Sequence, residues 1–565
     1  VFGDRGILTL HGLRHRIQQQ SLANAIFHNL RLRKHGLNQA GTGTGKSIAY
    51  IVPAIYHAIR NQVKVIIATS NKGLQNQLTN KDLPFLQDAL RDYLQAKEGR
   101  NFRHAQLVGK FNYLCKTKCA EHLSENSRGT EAVVYAFWKS TRTGQIGECD
   151  VNLCAPEHYH LRKALTGCSN RHACPSCFYW LAKQAAQEAD IVVVNHALLA
   201  SHYLAGRNIL PVFDVVIVDE AHAWESALRD STVTRLSRGQ LLPVILKAEK
   251  YLLPEHYQRI CQTAKPLFQT LAHEVSLQTV NQRSDKAQRL SRGAFSELLQ
   301  QHAKRLHGCL APISSNLAEM EDATAQICAR QLADFNLVLQ ATFASDNVLL
   351  MPYQGEDGLG VELHLIDLAD TQQRVMKGAC WQFVSATLTT STKLEQRFAY
   401  QQRTLGLSNA RVLDVGSPFD YKARQLLYVT DVPLPTRARG QFNRFKFSQD
   451  FAKAMEGEYK ALLDVSQGRA LLLFSSYEQM NAVWNQLGTL PYPARRHKED
   501  GSDIEVVSWF KSTPNAVLFA VSLWEGIDVP GPALSLVVCD KLPLLPPDDP
   551  ILDERSVLAA REYAA

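Results

Sequence analysis

Hydrophobic and polar positions change rhythm repeatedly along the chain. Residues 13–32 read as a helix with Arg16 and Gln19 three apart on one side. A polar, Gly-rich stretch at 40–47 leads into a second helix through Tyr50, Pro53 and Tyr56. Residues 63–69 form a strand pattern ending in Thr69-Ser70-Asn71, and a helix carrying Gln75 and Gln77 begins near Leu74. Strand, polar turn and helix alternate here as in a doubly wound α/β domain. The alternation breaks near residue 100. Residues 101–180 are rich in Cys, His and aromatics with weak periodicity, which predicts an insertion held by ligands. The α/β rhythm resumes at 190–196 and again at Val215-Val216-Ile217-Val218, a run without alternation that suits a parallel strand buried on both faces.

From about 230 to 345 the pattern turns mainly helical. Phe295, Leu298, Leu299, His302 and Leu306 recur at three- and four-residue steps as a core-facing stripe, with His302 at its edge rather than a ligand. Val361, Leu363 and Leu365 then alternate as a strand behind a Gly358/Gly360 turn. Phe383-Val384-Ser385-Ala386-Thr387-Leu388 returns to the first style, and a second α/β unit follows with strands at 470–474, 516–519 and 536–539. There is no internal repeat and no low-complexity tract.

The chain's 565 residues suit several structural units, and 45% hydrophobic with 21% charged residues is ordinary for a globular protein. No stretch approaches eighteen consecutive apolar residues, and no signal-peptide pattern opens the chain, so a cytoplasmic location is expected. The net charge of +8 is uneven: Arg5, Arg14, Arg16, Arg31, Arg33 and Lys34 stand against Asp4 alone in residues 1–36. Such a segment suits a nucleic-acid backbone, an acidic protein or a solvated helix face.

Chemistry enters with two short segments. Residues 40–47 read Ala-Gly-Thr-Gly-Thr-Gly-Lys-Ser, the P-loop pattern with Ala40 in place of its leading Gly. Thr42, Gly43, Thr44 and Gly45 let backbone N–H groups turn around a phosphate chain. Lys46 then reaches the β- and γ-phosphates, and the Ser47 hydroxyl ligates Mg²⁺. Asp219-Glu220-Ala221-His222 follows the buried run at 215–218. There Asp219 supplies a carboxylate to the metal, directly or through water, and Glu220 a base for the attacking water. Together they predict ATP hydrolysis with Lys46, Asp219 and Glu220 as the catalytic set.

Seven of the twelve cysteines lie between Cys115 and Cys177, a clustering that favours metal or cluster ligation over disulfides. Cys261, Cys309, Cys328, Cys380 and Cys539 stand singly in apolar surroundings as small buried hydrophobes.

In this order, the motifs closely resemble superfamily 2 helicases of the XPD/DinG type, on the bacterial DinG-like branch. Arg16 and Gln19 resemble the family's adenine-reading element. Thr69-Ser70-Asn71 with Leu74 and Gln75 resembles a DNA-backbone motif, and Asn195-His196-Ala197-Leu198-Leu199 matches an Asn-His-X-Leu-Leu segment. Ser385-Ala386-Thr387-Leu388 matches the motif that couples ATP state to DNA grip. In the second motor domain, Gly416-Ser417-Pro418-Phe419, Leu473-Phe474-Ser475-Ser476-Tyr477, Leu523-Trp524-Glu525-Gly526-Ile527-Asp528-Val529-Pro530-Gly531 and Lys541-Leu542-Pro543 look familial. The resemblance implies an α/β fold of two RecA-like motor domains, the first carrying a Cys-rich iron–sulfur-type insertion and a mainly helical arch. The expected division is 1–100, 186–230 and 376–400 for the first motor, 101–185 for the Cys-rich domain, 231–375 for the arch and 401–565 for the second motor.

The resemblance further implies that Gly526 and Asp528 present the second motor's side of the nucleotide cleft. It also implies that His222 relays nucleotide state toward Ser385 and Thr387. Cys115, in Asn112-Tyr113-Leu114-Cys115, and Cys177, before Phe178-Tyr179, fit the outer ligands of a [4Fe–4S] cluster. Cys168 and Cys174 complete a C-x5-C-x2-C spacing tighter than the family's, with Cys119, Cys149 and Cys154 as competitors. Zinc and a degenerate site without metal remain alternatives. The family's closing Gln-x-x-Gly-Arg-x-x-Arg helix is expected after Asp549 and is not found up to Ala565, which reads as a truncated sequence.

The expected partner is single-stranded and forked DNA, entered 5′ to 3′, with no membrane. Tyr113, Phe178, Tyr179 and Trp180 are candidates to contact or split a duplex, or to pack around the metal loop. Alternatives are a translocase serving a larger assembly, such as a CRISPR ribonucleoprotein, and a nucleic-acid-binding subunit with a vestigial ATPase.

Overall fold

The computed structural model describes residues 1–168, 174, 176–204, 206–281, 295–344, 348–355, 357–431, 449–501, 503–521, 523–524, 527, 529, 531–542 and 549–564. Its centre is a parallel sheet built from β1 (Gly36–Gln39), β2 (Val65–Thr69), β3 (His104–Gln106), β4 (Ile191–Asn195), β5 (Val215–Asp219), β9 (Cys380–Ser385) and β10 (Arg411–Asp414). Their spatial order is β10-β1-β9-β5-β2-β4-β3. β6 (Thr234–Ser237), β7 (Val348–Gly355) and β8 (Gly358–Leu365) form a separate antiparallel sheet ordered β6-β8-β7. β11 (Ala470–Leu473), β12 (Ala494–Arg496), β13 (Val517–Ala520) and β14 (Leu536–Cys539) make a second parallel sheet ordered β12-β13-β11-β14.

The continuous apolar runs explain why the first sheet lies in the interior. Side chains alternate across a strand, so a strand buried on both sides needs apolar residues at every position. Val65, Ile67, Ile191, Val193, Val215 and Ile217 enter one core, shared with the helices α1 (Ile17–Arg31) and α2 (Lys46–Asn61). Ile66, Ala68, Val192, Val194, Val216 and Val218 enter the other. That second core runs without a break into the Cys-rich insertion, taking in Tyr113, Leu114, Val134, Ile146, Leu165, Phe178 and Tyr179. The insertion therefore has an apolar core besides its cysteines, which irregular spacing hides from periodicity. The second parallel sheet repeats the logic, with Leu472, Val517 and Phe519 on one face and Leu471, Leu473 and Leu518 on the other.

Two chain segments fall elsewhere than the sequence division put them. β3 lies at the edge of the first sheet, paired with β4, so the first motor extends past residue 100. β10 pairs with β1 on the opposite edge, so the division at residue 400 falls before the first sheet is complete. Both strands are too short and too polar for a pattern to assign them to a sheet.

Helix α3 (Phe178–Glu188) leads from the Cys-rich domain back to β4, and α4 (His196–Leu204) follows that strand. The arch holds α5 (Pro254–Asn281), α6 (Glu297–Ala318) and α7 (Ala323–Ala344) over a core that includes Leu236, Val361 and Leu363 of its antiparallel sheet. A short turn makes α6 and α7 adjacent. The buried stripe of α6 is Leu299, Ala303, Leu306, Leu310, Ile313 and Leu317, while Leu298 is 53% exposed and His302 half-buried. No described helix is long and apolar enough to cross a membrane.

Ile67 is fully buried in the middle of the first sheet. Ile67→Ala should lower unfolding stability by about 2–5 kcal/mol, read from chemical denaturation.

Candidate active site and cysteine cluster

Parallel strands place all their C-terminal ends on one edge, where α/β proteins build ligand sites. β9 lies between β1 and β5, with Gln39 in register with Ser385 and Asp219 in register with Val384. The ends of three neighbouring strands therefore carry the P-loop, the Ser385 segment and the acidic pair side by side.

The P-loop leaves β1 and turns at Gly43 (φ 74°) and Gly45 (φ 82°), positive values that a side chain would strain. α2 begins at Lys46, so its free N–H groups face the loop's concavity, where an anion is favoured. The Thr44 hydroxyl donates to the Gly41 carbonyl at 2.6 Å. Gln19 donates to the Gly45 carbonyl at 3.1 Å, and Arg16 donates to the Gly43 carbonyl. Both residues of the expected adenine-reading element thus touch the loop itself.

Asp219 ends β5 with 4% exposure. Burial, reinforced by the neighbouring Glu220 carboxylate, pushes its carboxyl up to about 7, while Lys46 and a hydrogen bond from Tyr50 act the other way. The Tyr50 phenol donates to Oδ2 at 3.0 Å, and Oδ1 has no hydrogen-bond partner among the described residues. Glu220 takes a left-handed backbone (φ 49°) that turns its side chain toward Lys46, whose Nζ lies 3.8 Å from Oε1. His222 Nδ1 lies 2.8 Å from Ser385 Oγ, and that hydroxyl donates to Glu220 Oε2 at 3.3 Å. Thr387 enters through its backbone, its N–H donating to Ser385 Oγ at 3.3 Å. Lys46, Asp219, Glu220, His222, Ser385 and Thr387 therefore converge on one strand edge, beside Ser47 in the first turn of α2. Gly526 and Asp528, with Glu525, lie outside the described residues.

Two contributions escaped the sequence reading. Gln39 Oε1 accepts from the N–H groups of both Leu388 and Thr389 at 2.7 Å, fixing the chain just beyond Thr387. The 416–419 segment, expected in the second motor, packs on the P-loop: Gly41 N–H donates to the Gly416 carbonyl at 2.9 Å, and the Phe419 ring covers Gly43. Tyr421 and Thr42 share a hydroxyl–hydroxyl bond of 3.1 Å, and the Arg16 guanidinium lies 5.9 Å from the Phe419 centroid. Only tertiary contact assigns that loop to this site.

Cys115, Cys168, Cys174 and Cys177 are all buried, and their Sγ atoms lie within 4.8 Å of one another. Chain pairing brings them together: Cys115 N–H donates to the Leu165 carbonyl at 2.8 Å, and Leu114 bridges Thr166. Cys177 then stands at the start of α3. Four thiolates in this arrangement fit an iron–sulfur-type centre. Among the competitors, Cys119 is buried and donates weakly to the Leu165 carbonyl, Cys149 is half-buried and Cys154 is exposed; none joins the quartet. Tyr113, Phe178 and Tyr179 are no more than 7% exposed, and Trp180 packs against the quartet. Tyr113, Phe178 and Tyr179 lie in the insertion's apolar core, while Phe111, 53% exposed with Lys110 Nζ 5.0 Å from its ring, faces solvent.

Residues 99–241 match the DEAD_2 family, and 459–564 match the helicase C-terminal domain family. The chain is 28% identical to the ATP-dependent helicase DinG of Mycobacterium tuberculosis over 98% of its own length and 85% of the relative's. It is 28% identical to the ATP-dependent DNA helicase YoaA of Haemophilus influenzae over 98% and 86%. Two segments of the chain thus match helicase domain families, and nearly its whole length is similar to helicases of the DinG/YoaA branch. A solved XPD helicase is also similar, at TM-score 0.49 and 15% identity over 97% of this chain and 88% of that one.

The histidine of the Asn-His-X-Leu-Leu segment supports the site from below. His196 Nε2 donates to the Asp219 carbonyl at 2.9 Å, and burial lowers its pKa to about 4. His202, also lowered to about 4 by burial, accepts the N–H groups of Leu210 and Ile209 on Nδ1. Both are neutral in the fold, so the unfolded chain binds more protons below the usual histidine pKa. Their stabilisation is complete above about pH 6.5 and is lost as pH falls toward 4. Thermal midpoints should therefore drop from pH 7 to pH 5, and His202→Asn should flatten that dependence.

Proposed function

We propose that the chain is an ATP-dependent DNA helicase of the DinG/YoaA type that moves 5′ to 3′ on single-stranded DNA and separates forked duplexes by excluding one strand. The observation that carries the reading is the convergence of Lys46, Asp219, Glu220, His222 and Ser385 on neighbouring strand ends. Relatives named ATP-dependent helicases match nearly the whole chain.

In this reading the P-loop amides and Lys46 hold the phosphates of ATP. Ser47 and Asp219 would hold Mg²⁺; the buried Oδ1 of Asp219, without a hydrogen-bond partner among the described residues, suits a cation. When bound, Mg²⁺ neutralises charge spread over the β- and γ-phosphate oxygens. Glu220 orients the attacking water and accepts its proton. The Glu220–Ser385–His222 chain then reports, at the end of β9, whether the γ-phosphate is present. Domain closure on ATP and opening after hydrolysis would move the strand, with phosphate contacts and aromatic stacking giving grip without sequence preference.

Cys115, Cys168, Cys174 and Cys177 would hold a [4Fe–4S] cluster, which supplies a rigid electron-rich cross-link for the insertion. Zinc is the alternative that the same thiolates admit, and iron with acid-labile sulfide analysis separates the two. The twelve cysteines form no disulfide, which suits a reducing cytoplasm. Single-stranded and forked DNA is the partner in this reading.

Unwinding of duplexes with a 5′ or a 3′ single-stranded tail tests the reading. Opening from the 5′ tail alone is expected; opening from the 3′ tail would overturn the polarity. Lys46→Ala should abolish ATP turnover and leave single-strand binding, and normal turnover in that variant would remove the P-loop assignment. Cys115→Ser should bleach the visible absorbance of an iron–sulfur centre and impair unwinding more than ATPase.

A further inference from the structure

We propose that Tyr50 is a positioning residue for the divalent cation of the nucleotide site, acting through Asp219; the inference rests on the ATPase reading above. Tyr50 lies three residues after Ser47 on α2, almost one helical turn. Its side chain is fully buried. Its phenol donates to Asp219 Oδ2 at 3.0 Å. That hydroxyl thus holds one of the two side chains that P-loop chemistry assigns to the metal, from the helix whose first turn carries the other.

The remaining oxygen of Asp219 gives this contact its meaning. Oδ1 is buried and has no hydrogen-bond partner among the described residues, whereas Oδ2 is pinned. A carboxylate fixed by one oxygen presents the other in a single direction, which prepares it for a cation before one arrives. His196 fixes the same residue from the backbone side through the Asp219 carbonyl. The peptide is held by one hydrogen bond and the side chain by another, so the carboxylate has little freedom left. A phenylalanine at residue 50 would fill the same space and leave Oδ2 to swing. Groups that orient metal-ligating side chains change metal affinity by about 10–100-fold when removed.

The test is Mn²⁺ binding to the full chain in the presence of ADP, followed by the electron paramagnetic resonance of free Mn²⁺. Tyr50→Phe should weaken Mn²⁺ binding by about 10-fold or more. ADP binding measured in EDTA should stay within about twofold, well under the tenfold that 1.4 kcal/mol would produce. That split separates positioning of the metal from damage to the nucleotide pocket. Mn²⁺ affinity in Tyr50→Phe within about twofold of the unmodified protein would overturn the proposal and leave the phenol a packing group. The pair Asp219→Asn and Asp219→Asn/Tyr50→Phe covers the case in which the single variant does not fold, since neither leaves a buried carboxylate short of a donor. Equal Mn²⁺ affinities in that pair support action through Asp219, and a further loss in the double variant overturns it. Failure of the unmodified protein to bind Mn²⁺ with ADP would instead overturn the ATPase reading on which the inference stands.

Discussion

Burying a carboxylate is costly unless hydrogen bonds or opposite charge compensate it, and Asp219 is buried at the end of a strand with both flanks occupied by sheet. Much of the candidate site answers that cost. Tyr50 supplies a donor, Lys46 a nearby positive charge, and His196 anchors the peptide from behind. Among the described residues the compensation is incomplete, because Oδ1 has no hydrogen-bond partner and Glu220 adds a second negative charge next door. A site short of positive charge in this way is suited to gain a cation with its substrate.

The order of strands turns that local arrangement into a coupled one. With β9 between β1 and β5, Ser385 falls between the P-loop and the acidic pair and can bond to Glu220 and lie within reach of His222 together. The Ser385 segment continues into residues whose amides Gln39 holds, so the strand carrying the P-loop also fixes the chain leaving β9. A change beside Lys46 and Glu220 has a short, hydrogen-bonded route to a segment that leads away from the site.

The cysteine quartet is tied to the same motor by packing. Cys177 opens α3, which runs directly into β4. The apolar core beneath the insertion is continuous with one face of the central sheet. Loss of the cluster should therefore disturb the insertion first, and the sheet, held by its own strands on both faces, much less. That asymmetry is the physical ground for separating unwinding from hydrolysis.

What the sequence determined by itself is the part governed by short-range chemistry. Gly43 and Gly45 are needed where φ is positive, Lys46 and Ser47 follow at the start of a helix, and the uninterrupted run at 215–218 must be a strand covered on both sides. The clustering of seven cysteines marked the insertion, and the family resemblance singled out Cys115 and Cys177 within it. Tertiary structure alone decided that Cys119 stays out of the quartet although it stands one helical turn from Cys115. It also decided that β10 joins the first sheet, that the loop carrying Phe419 lies on the P-loop, and that Tyr50 meets Asp219 across 169 residues of chain. The reason is physical: backbone conformation and strand burial are set by neighbouring residues. Which side chains meet at a strand edge depends on sheet order, and no local pattern encodes it.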